Sequence, residues 1–128
     1  MNNAITKDLK DNGVMVLTLN RPEVLNAMNR DLIMGLYETF QEIEKEKDSR
    51  VIIITGEGRG FCSGADLANG GWPSEEGMTG GEAGANSMEI GFNPLIRLIT
   101  SIDKPVITAI NGIAAGGGVG LALSLIHI

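Results

Sequence analysis

The hydrophobic pattern of this chain changes period several times. Val14-Met15-Val16-Leu17-Thr18-Leu19 is rich in β-formers and follows the turn dipeptide Asn12-Gly13, which predicts a hairpin arm leading into a strand. Pro22 ends that run, because it lacks a donor and fixes φ. From Asn29 the apolar residues Leu32, Ile33, Leu36, Phe40 and Ile43 recur at helical spacing, with Arg30, Asp31, Glu38, Glu42 and Glu46 largely off that stripe. This predicts a helix capped by Asn29 and lasting to about Lys47. Residues 51–55, VIIIT, form a continuous β-branched run and read as a strand buried on both faces.

Residues 68–92 differ in character. They are rich in glycine, contain Glu75, Glu76, Glu82 and Glu89 and carry no basic residue, which predicts a long mobile loop with at most a short helix. A loop of this kind reads either as a surface excursion or as a substrate lid. Asn93-Pro94 opens a further helix bearing Leu95, Ile96, Leu98, Ile99 and Ile102. Lys104-Pro105 stops it and opens a strand over 106–110. The alternation of strands and helices predicts an α/β architecture.

Two segments stand out chemically. GRGFCSGADL, from Gly58, and AINGIAAGGGVGLAL, from Ala109, each carry a β-type run into a turn of small residues. Glycine lets a ligand approach the main chain, and the start of a helix offers unpaired N–H donors. Two such turns can aim two backbone amides at one carbonyl oxygen, an oxyanion hole that stabilises an enolate or tetrahedral oxyanion.

Composition narrows the alternatives. With 43% hydrophobic and 20% charged residues, the 128-residue chain is ordinary for a globular domain. A net charge of −6 with no basic run argues against nucleic-acid binding. Cys62 is the sole cysteine, so no internal disulfide forms and a reducing, cytoplasmic setting is expected. The polar start MNNAITKDLKDNG does not read as a signal peptide. Residues 106–128 lack charge, yet the glycines at 112, 116, 117, 118 and 120 favour strand, turn and buried helix over a membrane span. Arg21, Arg59, Arg97 and Lys104 are candidate cations for an anionic ligand, with a solvated surface role as the alternative. No metal site is expected.

Three blocks in register, LNRPEVLNAM from Leu19, GRGFCSGADL from Gly58 and KPVITAINGIAAGGGVGLAL from Lys104, resemble the crotonase (enoyl-CoA hydratase/isomerase) superfamily. The resemblance implies an α/β crotonase-like ββα spiral, here the N-terminal part of one domain and incomplete at its C-terminus. It implies an acyl-CoA thioester substrate, no cofactor beyond that coenzyme A, and a homo-oligomer, a trimer or hexamer. By the same likeness Ala65 and Gly117 supply the oxyanion-hole N–H groups, and Ala65, Asp66, Leu67, Gly116 and Gly117 line the substrate. Simple turn chemistry is the other reading of Asp66.

One departure bears on the reaction. Hydratases of this family carry a glutamate two residues after the GGG run, where this chain has Gly120, and a second one would lie beyond Ile128. Isomerase chemistry is therefore expected ahead of hydration, with Glu75, Glu76, Glu82 and Glu89 as candidate bases or, alternatively, solvated loop charges. Family members are longer, and the final Leu125-Ile126-His127-Ile128 is foreign to their pattern. The 128 residues alone are expected to be poorly soluble or oligomeric and catalytically inactive. A non-catalytic CoA-binding module remains open. So does a dinucleotide site, although GGGVG is a degenerate match to G-x-G-x-x-G.

Overall fold

The computed structural model describes residues 3–68 and 76–125. Strand β1 (Ile5–Leu9) pairs antiparallel with β2 (Val14–Leu19), with Leu9 opposite Met15, so the Asn12-Gly13 turn closes a hairpin as the sequence predicts. β2 runs parallel to β3 (Val51–Gly56), and β3 runs parallel to β5 (Val106–Thr108), giving a four-stranded sheet of order β1-β2-β3-β5. A separate parallel pair joins β4 (Gly60–Cys62) to β6 (Ile113–Ala114). This mixed α/β arrangement is the fold class the sequence predicts.

Helix α1 (Arg30–Lys45) crosses between β2 and β3. Asn29 caps it, its side chain accepting from the Leu32 N–H at 3.0 Å, and the apolar stripe Leu32, Ile33, Leu36, Phe40 and Ile43 is buried. Its C-terminal carbonyls are met by a lysine from far along the chain. Lys104 Nζ donates to Ile43 O and Glu46 O, both at 2.6 Å, and to Ser49 Oγ at 2.9 Å. The core lies between this helix, the inward residues Met15, Leu17, Leu19, Ile52 and Ile54 of the sheet, and Leu95 and Ile99 from a later helix.

Three expectations change. β3 is not buried on both faces: Ile52 and Ile54 are fully buried, while Val51, Ile53 and Thr55 are half-buried. A β-branched run suits any pleated surface, so it reports strand more firmly than two-sided burial. β5 stops at Thr108 rather than Ile110. Beyond it the Asn111 side chain accepts from Gly56 N at 3.0 Å and donates to Gly58 O at 2.9 Å, which takes over the end of β3.

The third change concerns 68–92. Residues 69–75 lie outside the described residues, but from Gly80 onward the chain is helical: α2 (Gly80–Ser87), a π-turn (Met88–Phe92) and α3 (Asn93–Ser101) run on without a loop. A capping box starts α2. Thr79 Oγ1 accepts from Glu82 N at 3.3 Å, and the Glu82 carboxylate accepts from Thr79 N at 2.8 Å. Those bonds satisfy orphan donors that a glycine-rich start would otherwise leave to water. The last helix, α4, spans Gly117–Leu123. No helix among the described residues is long and apolar enough to cross a membrane.

Candidate active site

The two glycine turns that the sequence singled out lie side by side. β4 and β6 are parallel neighbours, Gly60 opposite Ile113 and Cys62 opposite Ala114, and Ala115 N donates to Cys62 O at 3.0 Å. Both strands therefore leave the sheet at the same end. Gly64 has φ +99°, and a Cβ there would stand 2.9 Å from Ala115 O and 3.5 Å from Gly116 Cα. At Gly118 a Cβ would lie 2.1 Å from Cys62 O, a distance no side chain tolerates. Glycine is required at both positions because main chain packs directly against main chain.

Each turn presents one amide. Met28 N donates to Gly64 O at 2.7 Å and Asp66 N donates to Met28 O at 3.0 Å, so Ala65 sits in a parallel bridge formed by its two neighbours. In that pattern the bridged residue's own N–H points away from the partner strand. Gly117 is the first residue of α4, where no helical carbonyl can accept its N–H. The following amides do find partners, Gly118 N on Ala115 O at 2.8 Å and Val119 N on Gly116 O at 3.0 Å. Among the described residues neither the Ala65 N–H nor the Gly117 N–H has an acceptor, and both residues are exposed.

The walls beside Gly117 are apolar. The space a Cβ would occupy there lies 2.6 Å from Met28 Cε and 3.8 Å from Phe92 Cε1. Below the turns Cys62 is fully buried, and desolvation pushes its thiol above the ordinary range, so it stays neutral as part of the floor.

Asp66 turns inward. It is 4% exposed, its Oδ1 accepts from Ala68 N at 3.1 Å, and its Oδ2 meets Arg21 Nη2 at 2.9 Å. Arg21 also donates to Ala27 O through Nη1. This buried pair ties the turn after Ala65 to the segment leading into α1. Leu67, by contrast, is 84% exposed, and Gly116 lies within its turn with φ +50°. Of the four candidate cations, Arg21 and Lys104 are engaged in the fold as described, whereas Arg59 and Arg97 are exposed. The Glu82 carboxylate is held below its usual value by the Thr79 N–H and then the Thr79 hydroxyl. Glu89 accepts from Asn93 Nδ2 at 3.2 Å and Glu76 is exposed, while Glu75 and His127 lie outside the described residues.

Two asparagines were missed by sequence reasoning. Asn26 is fully buried at φ +55°; its Oδ1 accepts from Arg21 N at 2.8 Å and its Nδ2 donates to Gly60 O at 2.8 Å and Glu57 O at 3.0 Å. Asn111 does the same work from the other side, on Gly56 and Gly58. Together they fix how β4 is approached. The one available signal was a lone amide in each of two otherwise apolar runs, LNAM and AINGI.

Comparison with known proteins identifies the fold and its class. The enoyl-CoA hydratase/isomerase family model matches residues 9–125, and the chain belongs to that family. It is 42% identical over 118 residues to the 1,2-epoxyphenylacetyl-CoA isomerase of Escherichia coli (strain K12), covering 88% of this chain and 42% of that protein. It is 40% identical over 109 residues to a probable enoyl-CoA hydratase of Mycobacterium bovis, covering 84% of this chain and 38% of the relative. A crystal structure of a probable enoyl-CoA hydratase/isomerase from Mycobacterium abscessus superposes with a TM-score of 0.82 at 36% identity, over 98% of this chain and 46% of that one. The chain thus spans about two fifths of the length of the curated relatives it matches.

Proposed function

We propose that this chain binds an acyl-CoA thioester with the carbonyl oxygen between the Ala65 and Gly117 N–H groups, and that the oxyanion held there is the enolate of an isomerisation. One observation carries the reading: two amides without an acceptor among the described residues sit on turns in main-chain contact, just past the ends of two adjacent parallel strands. Hydrogen bonds to the thioester oxygen acidify the α-carbon. They also stabilise the charge that appears on oxygen when the proton leaves, and removing one oxyanion-hole donor costs about 2.7–4 kcal/mol in other enzymes. Asp66 and Gly116 serve the site by fixing the turns, and exposed Leu67 offers its surface to the coenzyme.

Isomerisation is favoured over hydration by Gly120, which occupies the position of a hydratase glutamate in the family resemblance. The 42% identity to an isomerase points the same way. Glu82 is a poor candidate for the proton carrier, since its hydrogen bonds stabilise the anion and weaken it as a base. An oligomer would cover Ile110, Ile113 and Leu123, which are 51%, 59% and 63% exposed.

The test uses a chromophoric thioester, cinnamoyl-CoA, titrated into the 128-residue chain. Polarisation of its carbonyl moves the absorption band to longer wavelength. Gly117→Ala and Gly117→Pro put a Cβ in the same place, against the flexible end of Met28, but only proline lacks the N–H. The band shift is expected to survive in the alanine variant and to disappear in the proline variant. A proline variant that retains the shift overturns the assignment. Proton removal is read separately as α-proton exchange of but-3-enoyl-CoA, whose α-carbon carries acidic hydrogens, in deuterated buffer; a cinnamoyl band shift without that exchange would instead mark a CoA-binding module without catalysis.

A further inference from the structure

Strand β1 is an outer strand of the four-stranded sheet, and among the described residues no strand lies beyond it. Lys10 N donates to Val14 O at 2.9 Å and Asn20 N to Ala4 O at 2.8 Å, which sets the even-numbered residues of β1 in the hydrogen-bonded pairs with β2. Such pairs alternate along an antiparallel ladder, so the N–H and C=O groups of Ile5, Lys7 and Leu9 turn outward to the free edge. The same three residues stand opposite Leu19, Leu17 and Met15, so their side chains share the face turned to α1. Two cavities lie between that face and α1. One, of about 220 Å³, is walled by Leu9, Met15 and Ile43 with Glu42 and Glu46. The other, of about 320 Å³, is walled by Ile5 and Thr39 with Glu38 and Glu42. The Lys7–Glu42 ion pair borders both.

This edge repels a copy of itself. Antiparallel pairing of two β1 strands must set odd residues against odd ones, because those carry the outward groups. Centred on Lys7 it opposes Lys7 to Lys7, centred on Asp8 it opposes Asp8 to Asp8, and centred on Thr6 it pairs only residues 5–7 of the strand. Like charges directly opposite one another are destabilising. A basic partner meets the reverse condition. Glu38, Glu42 and Glu46 recur every four residues along one face of α1. Lys7 answers Glu42 and Lys104 stands 4.0 Å from Glu46, but Glu38 has no ion-pair partner among the described residues. The whole chain carries a net charge of −6. We propose that the free edge of β1 docks an extended, basic segment of another protein, antiparallel, with Lys or Arg at two positions four residues apart. Its main chain bonds Ile5, Lys7 and Leu9, and its two basic side chains enter the two cavities. Main-chain bonds supply affinity in this mode and alternate side chains supply specificity. A long basic side chain suits the first cavity, its stem lying on Leu9, Met15 and Ile43 and its charged head meeting the glutamates.

The experiment titrates the 128-residue chain into a fluorescein-labelled, amidated peptide, Thr-Arg-Thr-Ala-Thr-Lys-Thr, at physiological ionic strength, read by fluorescence anisotropy. Its arginine falls opposite Leu9, its alanine opposite Lys7 and its lysine opposite Ile5. It is expected to bind at least tenfold more tightly than the same peptide with glutamate at both basic positions. N-methylation of the alanine, whose N–H faces the edge, should weaken binding at least tenfold. N-methylation of the threonine before it, whose N–H points away, should change binding less than threefold. Glu38→Lys, folded by circular dichroism, should bind at least threefold more weakly. Absence of binding, or equal affinity for the basic and acidic peptides, overturns the proposal, as does an unchanged affinity in folded Glu38→Lys. Methylations that act alike, or not at all, also overturn it, because they mark attraction to an acidic surface without edge pairing. A dimer of the chain that the peptide dissolves would make a second copy the occupant and overturn the choice of partner.

Discussion

Asp66→Ala would strip the turn after Ala65 of the carboxylate that holds Arg21. Both side chains are largely shielded, at 4% and 15% exposure, so the value of about 0–1 kcal/mol usual for surface pairs does not apply. Removing one partner leaves a guanidinium in low dielectric, which typically costs about 3–5 kcal/mol. Arg21 keeps its bond to Ala27 O, which argues for the lower end, about 3 kcal/mol. Against a total stability of about 5–15 kcal/mol that is a large fraction. It corresponds to a melting temperature lowered by roughly 10 °C for a chain of this size. The assay is urea unfolding, followed by circular dichroism, of Asp66→Ala and of a double-mutant cycle made of wild type, Asp66→Leu, Arg21→Met and Arg21→Met/Asp66→Leu. The double variant should recover most of the loss, because an apolar pair of similar volume leaves no stranded charge. A loss below about 1 kcal/mol for Asp66→Ala, or no recovery in the double variant, refutes the structural account. Asp66→Asn separates the two roles: a side chain that touched coenzyme A would lower thioester affinity at an unchanged urea midpoint, whereas a turn-fixing one lowers both together.

Gly118→Ala forces a methyl to within 2.1 Å of Cys62 O and should destabilise the chain by more than the roughly 1–3 kcal/mol typical of overpacking, since the obstacle is backbone; a melting temperature within 2 °C of wild type would contradict it. Thr79→Ala removes the N-cap of α2 and is expected to lower stability by about 1 kcal/mol in urea titrations. The Glu82 carboxyl is depressed below 4.5 in the folded chain, so its contribution is present above that pH and is lost as pH falls through the folded value. Glu82→Gln should therefore flatten the acid limb of a urea-midpoint profile between pH 6 and 3, and an unchanged limb would refute this.

Much of the scaffold was legible because it depends on local pattern. The period of the apolar residues located β2, α1, β3 and α3, and Asn29 marked the start of α1. The helix over 80–92 was hidden by its glycines, which lower helix propensity, although the Thr79-x-x-Glu82 spacing of its capping box was there to be read. Leu25, at φ +52°, gave no sign of its left-handed backbone, since nothing about leucine favours it. The clamps Arg21–Asp66 and Lys104 on the end of α1 join residues far apart in sequence, and only the folded chain reveals such pairs. At the site, the glycine turns were legible as positions. Their juxtaposition depends on β4 and β6 pairing, which two short strands could not announce.

That pairing gives the molecule a particular latitude. The Ala65 and Gly117 amides are located by peptide groups resting on peptide groups, with glycine hydrogens as the only spacers. Side chains beside the turns, such as Met28, Phe92 or a replacement for Gly120, can therefore drift without relocating either amide. A lineage built on this frame can exchange the side chains around the turns, and so visit many reactions, while the proposed grip on a negative oxygen is inherited intact.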